Sequence, residues 1–262
     1  MIIMINKKRH LKIDYILLIG IVVLSICGLL MVYSASNVVA KENYNDSFYY
    51  LKRQGLFLII SYILLFLVTK YDIEKYERKV TLVFFICLFL LLIVLIPFIG
   101  SVRGGARSWI SIGGFSIQPS EFMKIGLTGL YAKYLSQNYK DLKSFKTFMM
   151  TFSLAILVFL IIMLQPDFGT GLVIVLSALV LIFISGVPIK YFIVIIAIGI
   201  VGMGVLIISA PYRLERITAF INPWQDPLGS GFQGIQSMFA IAPSGLFGLG
   251  YNNSMQKHFF LP

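Results

Sequence analysis

The sequence predicts an all-α polytopic membrane protein of about seven transmembrane helices, ending in a long extracytoplasmic loop with short or re-entrant helices. Three observations predict this fold class. Hydrophobic residues make up 58% of the chain and charged residues 13%, whereas a soluble domain is about half apolar and about a quarter charged. The apolar residues come in long blocks rather than in amphipathic stripes. Most lysines and arginines lie between these blocks, where they face anionic headgroups or determine topology.

The net charge of +11 does not indicate nucleic-acid binding, because no basic helix interleaved with aromatic residues is present. We therefore expect membrane lipid, and no nucleic acid, among the partners. Cys27 and Cys87 each lie inside an apolar block. Their spacing indicates neither a disulfide framework nor a metal site, so both are expected to be packing residues.

Spans are predicted where about 17–25 mostly apolar residues follow one another, the length that crosses the hydrocarbon core. The seven predicted spans cover residues 13–34, 54–69, 80–99, 119–136, 147–165, 168–186 and 189–210. The second is short and could begin nearer Phe48. The first follows Lys7, Lys8 and Arg9 and precedes Ser34, which also resembles a signal peptide. Because its apolar run is about 20 residues long, an uncleaved helix is favoured.

The distribution of positive charge predicts a cytoplasmic N-terminus. With that orientation, the cytoplasmic segments hold twelve lysines and arginines and the outer segments hold eight, three of them in the long last segment. Long segments carry little weight in this rule. The chain is therefore expected in the cytoplasmic membrane, with residues 211–262 outside.

The last segment is not an ordinary loop. It contains a helical stretch around Tyr212–Ile221, a turn-rich stretch around Asn222–Pro227, and an apolar stretch from Phe232 to Leu249 that Gly and Pro interrupt. This last stretch is too broken to span, so a re-entrant or interfacial element is expected. The sequence then stops at Leu261-Pro262 without a further span. No repeat or soluble domain is visible, and residues 1–262 are expected to form one membrane domain.

Arg103 and Arg107 lie among glycines next to Trp109, between the third and fourth predicted spans. Two cations on flexible backbone suit a phosphate-bearing ligand, because a guanidinium binds phosphate oxygens through two parallel hydrogen bonds. The alternative is that both arginines anchor the chain at the membrane interface beside an aromatic residue. The pattern alone does not separate the two.

The fourth predicted span begins with Pro119 and carries Glu121 in its first turn, which suits the helix dipole. Glu121 and Lys124 are three residues apart and can pair on one helix face. They form either a structural ion pair or the lining of a polar cavity. Either way the pair is expected to face the interior of the bundle, because exposing charge to lipid is costly.

Asp167 lies between the fifth and sixth predicted spans, where it can cap the sixth helix. Gly169 and Gly171 follow and would allow close helix packing. Capping and packing are favoured over a direct catalytic role.

Asp226 stands between Trp224 and Pro227 in a segment that Pro223 also stiffens. An acid on rigid backbone at a membrane surface can serve as a general base or a metal ligand. On the residues alone, a solvated turn aspartate is the simpler interpretation.

Three longer strings point further: RSWISIGGFSIQPSEFMK, QPDFGTG and YRLERITAFINPWQDPLGSGFQGIQS. In this order they resemble the SEDS family of shape, elongation, division and sporulation proteins, most closely its FtsW-like division and sporulation branch rather than its RodA-like branch. The resemblance covers essentially the whole chain. It implies further spans beyond Leu261-Pro262, so the chain is expected to be C-terminally truncated.

The resemblance implies a peptidoglycan glycosyltransferase that polymerises lipid II at the outer face of the membrane with a class B penicillin-binding protein. It places the catalytic acid at Asp226. Arg103, Arg107 or a divalent cation would balance the charge of the leaving pyrophosphate; no cofactor is certain and metal ligands are unknown. The substrate-binding residues that it implies are Arg103, Arg107, Glu121, Lys124 and Asp167.

Two alternatives stay open. A lipid II flippase would depend on Glu121 and Lys124 more than on Asp226. A non-catalytic scaffold for a penicillin-binding protein would tolerate the loss of Asp226. Whether the protein acts in division or in sporulation, which partner it uses and whether it forms oligomers do not follow from the sequence.

Overall fold

The computed structural model describes residues 13–113, 115–138, 141, 144–208, 211–245, 248–254 and 257. The basic cluster Lys7–Arg9 and the terminal Leu261-Pro262 lie outside the described residues. So do Lys140 and Lys143, which counted toward the predicted orientation.

The described part of the chain is mostly helical. Its helices are α1 (Tyr15–Tyr44), α2 (Tyr49–Thr69), α3 (Ile73–Ile93), α4 (Pro119–Gln137), α5 (Phe145–Met163), α6 (Phe168–Ile184), α7 (Ile189–Ile208), α8 (Pro211–Ile221) and α9 (Phe232–Ile241). Its strands are β1 (Gly100–Arg103), β2 (Ala106–Ile112) and β3 (Phe115–Ile117). Short 3₁₀ turns occupy Pro223–Gln225 and Ala242–Ser244.

Helices α1 to α7 lie where the seven spans are predicted. Among the described residues, α1, α2 and α5 are long and apolar enough to cross a membrane, and α6 and residues Ile189–Gly202 of α7 are shorter apolar helices. The number of spanning helices therefore stays a prediction.

Two helix ends differ from the prediction. Helix α1 continues ten residues beyond residue 34 because no Gly or Pro interrupts it, and it ends where Asn45 takes the left-handed conformation (φ 53°). Helix α3 begins seven residues before residue 80, at a charged first turn that Asp72 caps. It ends at Ile93 rather than near residue 99, because Pro97 cannot continue a helix.

Residues 100–117 form a three-stranded antiparallel sheet in the order β1-β2-β3. This sheet differs from the flexible backbone that the sequence predicts here. Gly104 and Gly105 join β1 to β2 with φ of 57° and 84°. Positive φ at both central residues is the requirement of a two-residue type I′ hairpin turn, which glycine meets without strain.

The chain divides into two compact units. One comprises residues 71–205, and its core is built by α3, α4, α5 and α6, with side chains such as Phe148 and Ile162 fully buried. Tyr131 of α4 is 2% exposed. Its hydroxyl donates to the Thr151 carbonyl at 2.7 Å and accepts from the Ala155 N–H at 3.1 Å. The buried phenol therefore ties α4 to α5 with its polar atom satisfied.

The other unit comprises residues 1–70 and 206–262. In it α1 packs on α2, and both helices leave large apolar side chains such as Ile16 and Phe66 exposed. Such surfaces suit contact with lipid tails or further helices. The predicted single-domain organisation stays a prediction.

A matched pair of glycines tests the packing of α5 on α6. A Cβ at Gly171 would lie 2.9 Å from the Phe159 ring, whereas at Gly169 it would meet nothing within 4 Å. The expected close approach thus holds for Gly171 and is wrong for Gly169. We expect Gly171→Ala to destabilise the protein by about 1–3 kcal/mol through overpacking. Gly169→Ala should be neutral, which thermal unfolding in detergent would check; equal melting temperatures would contradict this.

Candidate functional site

Asp226 is fixed by the turn that follows it. Its Oδ1 accepts the Gly229 N–H at 3.1 Å, and its Oδ2 accepts both the Ser230 N–H at 2.7 Å and the Ser230 hydroxyl at 3.2 Å. Its carbonyl accepts the Gly231 N–H at 3.0 Å. The exposed carboxylate is thus oriented by its own backbone.

These hydrogen bonds favour the ionised form of Asp226. The Ser230 N–H, above all, holds the pKa of the Asp226 carboxyl below its ordinary value, and the Ser230 hydroxyl and the Gly229 N–H act in the same direction. An ionised carboxylate offers about four lone-pair sites. Because Oδ2 accepts two hydrogen bonds and Oδ1 one from the described residues, Oδ1 keeps an open acceptor position.

Two glycines make this turn possible. A Cβ at Gly229 would lie 2.1 Å from the Asp226 Oδ2. A Cβ at Gly231 would lie 2.0 Å from the Pro223 carbonyl oxygen. The string that follows Asp226 therefore leaves room for the carboxylate and for the preceding 3₁₀ turn.

Titration of the Asp226 carboxyl at acid pH tests this geometry. Because the folded pKa is lowered, the hydrogen bonds to the carboxylate are complete above the ordinary value of about 3.9 and are lost as pH falls through the lowered pKa. Ser230→Ala removes the hydroxyl and keeps the N–H, so the pKa should rise part of the way back. Carbon-13 NMR titration of the Asp226 carboxyl, assigned with Asp226→Asn, measures this.

Ser237→Ala is the matched control, because the Ser237 hydroxyl donates to the Gln233 carbonyl and to no atom of Asp226. A Ser230→Ala titration that superimposes on the parent curve would mean that Asp226 is a solvated turn residue.

In the unit of residues 71–205, the predicted arginines lie on the sheet. The Arg103 guanidinium lies 5.4 Å from the Trp109 ring centroid and donates to the Ser116 hydroxyl. The Arg107 N–H donates to the Gln165 carbonyl at 3.2 Å. Both arginines are thus held on ordered strands rather than on flexible backbone.

Glu121 and Lys124 form the predicted pair, with 2.7 Å between the Lys124 Nζ and a Glu121 carboxylate oxygen. Their side chains are 54% and 33% exposed, respectively. The expected burial in the interior of the bundle is therefore not seen for Glu121. The first turn of α4 lies at the end of the helix, where a charge reaches polar surroundings at lower cost than at mid-helix.

Asp167 caps α6 as predicted. Its Oδ1 accepts the Thr170 N–H at 3.2 Å, and its Oδ2 accepts the Gln118 side-chain amide at 2.7 Å. Sequence reasoning missed Gln118, and also Gln165, whose buried amide donates to the Leu91 carbonyl at 2.9 Å. The available signal was a glutamine directly before a proline, Pro119 or Pro166, near the start of a helix. Asp167 thus joins the start of α4 to the start of α6.

Asp226 lies in the unit of residues 1–70 and 206–262, whereas the other predicted site residues lie in the unit of residues 71–205. In the described part of the chain, no three His, Cys, Asp or Glu side chains lie close enough to hold a metal ion together. The residues described there do not form a metal cage, so a divalent cation stays an untested expectation.

Comparison with known proteins identifies the chain. A family model of FtsW, RodA and SpoVE, described as "Cell cycle protein", matches residues 15–262. Stage V sporulation protein E of Bacillus subtilis (strain 168) is 48% identical over 250 residues, which cover 95% of this chain and 68% of that protein. A probable peptidoglycan glycosyltransferase FtsW of Geobacter sp. (strain M18) is 37% identical over 250 residues, with the same coverage of 95% and 68%.

A solved structure also matches. Its description reads "Structural coordination of polymerization and crosslinking by a peptidoglycan synthase complex". The TM-score is 0.62 and the identity 28%, over 84% of this chain and 63% of the solved chain. The chain thus spans about two thirds of the length of the relatives and less than two thirds of the solved chain.

These comparisons confirm the predicted family, the helical membrane fold class and the expected place in the cytoplasmic membrane. The names of the FtsW relatives agree with the predicted class of enzyme, a peptidoglycan glycosyltransferase. The chain belongs to the FtsW, RodA and SpoVE family of cell cycle proteins.

Proposed function

We propose that this protein is a peptidoglycan glycosyltransferase that polymerises lipid II, with Asp226 as the general base. The observation that carries the proposal is the fixed Asp226 carboxylate, with an open position on Oδ1, in a chain whose relatives include a probable peptidoglycan glycosyltransferase. Division or sporulation is the process in which it acts, in line with the sporulation protein among its relatives.

In the proposed reaction, a sugar hydroxyl of one lipid II attacks the anomeric carbon of another. The new carbon–oxygen bond forms as the bond to undecaprenyl pyrophosphate breaks, and the hydroxyl proton passes to Asp226 Oδ1. A carboxylate of lowered pKa does not deprotonate a free sugar hydroxyl. It accepts the proton as bond formation makes the hydroxyl acidic, which is the regime in which general bases contribute about 10²–10⁴-fold.

The leaving pyrophosphate needs cations. A guanidinium has five N–H donors, and Arg103 gives one of them to Ser116. The remaining donors of Arg103, and the side chain of Arg107, would bind phosphate oxygens as the leaving group gains charge. Glu121, Lys124 and Asp167 would shape the substrate site at the ends of α4 and α6.

The proposed topology has seven spans, a cytoplasmic N-terminus and residues 211–262 outside. The exposed apolar faces of α1 and α2 support contact with lipid or with further helices. A class B penicillin-binding protein is the proposed partner, consistent with the likeness to a chain of a peptidoglycan synthase complex.

Glycan polymerisation from purified lipid II tests the proposal, with a class B partner present. Two proteins are compared: the chain itself, and a chimera that joins it to the roughly one third of the Bacillus subtilis relative that the chain does not match. Glycan strands from the chimera would support the enzyme. Absence of glycan from both would refute it.

The alternatives predict different variants. A flippase should lose lipid II translocation in Glu121→Gln and Lys124→Gln while tolerating Asp226→Asn. A scaffold should keep cell function in Asp226→Asn and lose partner binding elsewhere. The Glu121 side chain is 54% exposed, so its pair with Lys124 is not the buried charge pair that a flippase would need.

A further inference from the structure

A polar cleft of about 690 Å³ opens beside the C-terminal end of α1, within the unit of residues 1–70 and 206–262. Helix α1, the loop that follows it and the segment near residue 252 form its walls. Its lining residues are Asn37, Val38, Lys41, Glu42, Asn45, Ser47, Asn252 and Lys257. None of the residues proposed to act on lipid II lines this cleft.

Asn37 is the unusual member of the lining. It is 8% exposed, and its amide nitrogen donates to the Asn252 Oδ1 at 2.6 Å. Its own Oδ1 is buried and accepts no hydrogen bond within the described part of the chain. A buried acceptor without a partner is costly. Because Asn37 lines the cleft, a rotation of its side-chain amide would bring this oxygen to a ligand hydroxyl that enters the cleft and supplies the missing donor.

The charges of the cleft favour an anion. Lys41 and Lys257 outnumber Glu42, and within the described residues neither lysine has an ion pair with an acidic side chain. Lys257 is already positioned, because its Nζ donates to the Asn252 carbonyl at 2.6 Å and to the Asn252 Oδ1. Two ammonium groups with one carboxylate leave a net positive charge, which a phosphate would neutralise.

The position of the cleft along α1 matches the level of lipid headgroups. Ser34, Asn37 and Lys41 recur at helical spacing on one face. Asn37 lies three residues past the predicted end of the apolar span, or about 4.5 Å at 1.5 Å per residue, and Lys41 lies about 10 Å past it with a long side chain that can reach back. The headgroup layer adds roughly 5–8 Å on each side of the hydrocarbon core.

Aromatic side chains mark the same level. Tyr44 stacks on Tyr49 with 3.7 Å between ring centroids and meets Tyr50 edge-on at 5.8 Å. Tyrosines are enriched at membrane–water interfaces because their rings are apolar and their hydroxyls polar. The cleft therefore opens where lipid headgroups lie, whichever side of the membrane this end of α1 faces.

We propose that this cleft binds the headgroup of an anionic membrane lipid that carries both a phosphate and a hydroxyl group. Lys41 and Lys257 bind the phosphate, and the Asn37 Oδ1 accepts the hydroxyl. Two sources have this chemistry: a glycerophospholipid such as phosphatidylglycerol, and a polyprenyl-linked saccharide phosphate. The second source rests on the proposed function, and the first does not.

Native mass spectrometry of the purified chain measures binding without turnover. The probes are phosphatidylglycerol, phosphatidylmethanol (the same charge without a headgroup hydroxyl), phosphatidylcholine and lipid II. We expect Lys41→Gln to weaken binding of phosphatidylglycerol and of phosphatidylmethanol by about tenfold, as loss of a charge-assisted hydrogen bond does. Asn37→Ala should remove only the preference for phosphatidylglycerol over phosphatidylmethanol.

Lys52→Gln is the matched control, because Lys52 pairs with Asp46 at 2.7 Å and does not line the cleft. Binding of phosphatidylglycerol that Lys41→Gln weakens supports the proposal with a bulk lipid as the source. Binding of lipid II alone, weakened by the same change, supports it with the polyprenyl-linked source. Equal binding of phosphatidylcholine, or equal losses in Lys41→Gln and Lys52→Gln, would overturn it. A chain that binds lipid but makes no glycan would contradict the proposed function and leave the proposed lipid site supported.

Discussion

Replacing Asp226 with asparagine is expected to lower glycan polymerisation by about 10²–10⁴-fold, the usual contribution of a general base. Asparagine keeps the shape of the side chain and can still accept one N–H of the turn. It offers no basic oxygen to the incoming hydroxyl. The initial rate of glycan formation from lipid II, measured on the chimera with its class B partner, gives the number.

Asp46→Asn is the control for Asp226→Asn. Asp46 is another acidic side chain of the same unit, and it lies in the loop after α1 in an ion pair with Lys52. Its loss removes one negative charge without touching the 226–231 turn, so the rate should stay near that of the parent. An Asp226→Asn protein that polymerises as fast as Asp46→Asn would end the assignment of Asp226 as the base.

Replacing Gly231 with alanine is expected to disable the site without touching a charged group. The new Cβ would lie 2.0 Å from the Pro223 carbonyl oxygen and 2.8 Å from the Asp226 carbonyl oxygen. Both are backbone atoms and cannot rotate away, so the turn must move. A displacement of about 1 Å costs on the order of 10² in rate, and we expect a loss of that size with substrate binding less affected.

Gly234→Ala is the matched control, three residues further on in α9. There the new Cβ would meet only the Pro223 Cβ, at 3.6 Å, which is ordinary van der Waals contact. Alanine within a helix is favoured over glycine by about 1 kcal/mol, so activity should persist and stability should rise slightly. Full activity in Gly231→Ala would show that the geometry of the turn does not limit the reaction.

The features predicted best are those that neighbouring residues decide. The Asp167 cap was predictable because its acceptor and the Thr170 N–H are three residues apart. The Glu121 and Lys124 pair was predictable for the same reason. Helix positions followed from apolar blocks long enough to span, and most of the predicted starts lie within a few residues of those observed.

The sheet at residues 100–117 was missed although its signal was present. Gly104-Gly105 between short runs of alternating residues is typical of a two-residue hairpin. The long apolar blocks on both sides are the stronger pattern, and glycines between such blocks are equally typical of flexible backbone. In the sheet, Ser108 of β2 is buried at 1% exposed, while Arg103 of β1 reaches Trp109 and Ser116.

The sequence by itself determined the membrane class, the family and the identity of the proposed base. These depend on composition, on the length of apolar runs and on strings of adjacent residues, which folding does not change. Only the tertiary structure decided which distant groups meet. Gln118 reaches Asp167 across 49 residues, and Asn37 reaches Asn252 across 215. Such hydrogen bonds form only after helix packing has brought the two segments together, and no local pattern records which segments those are.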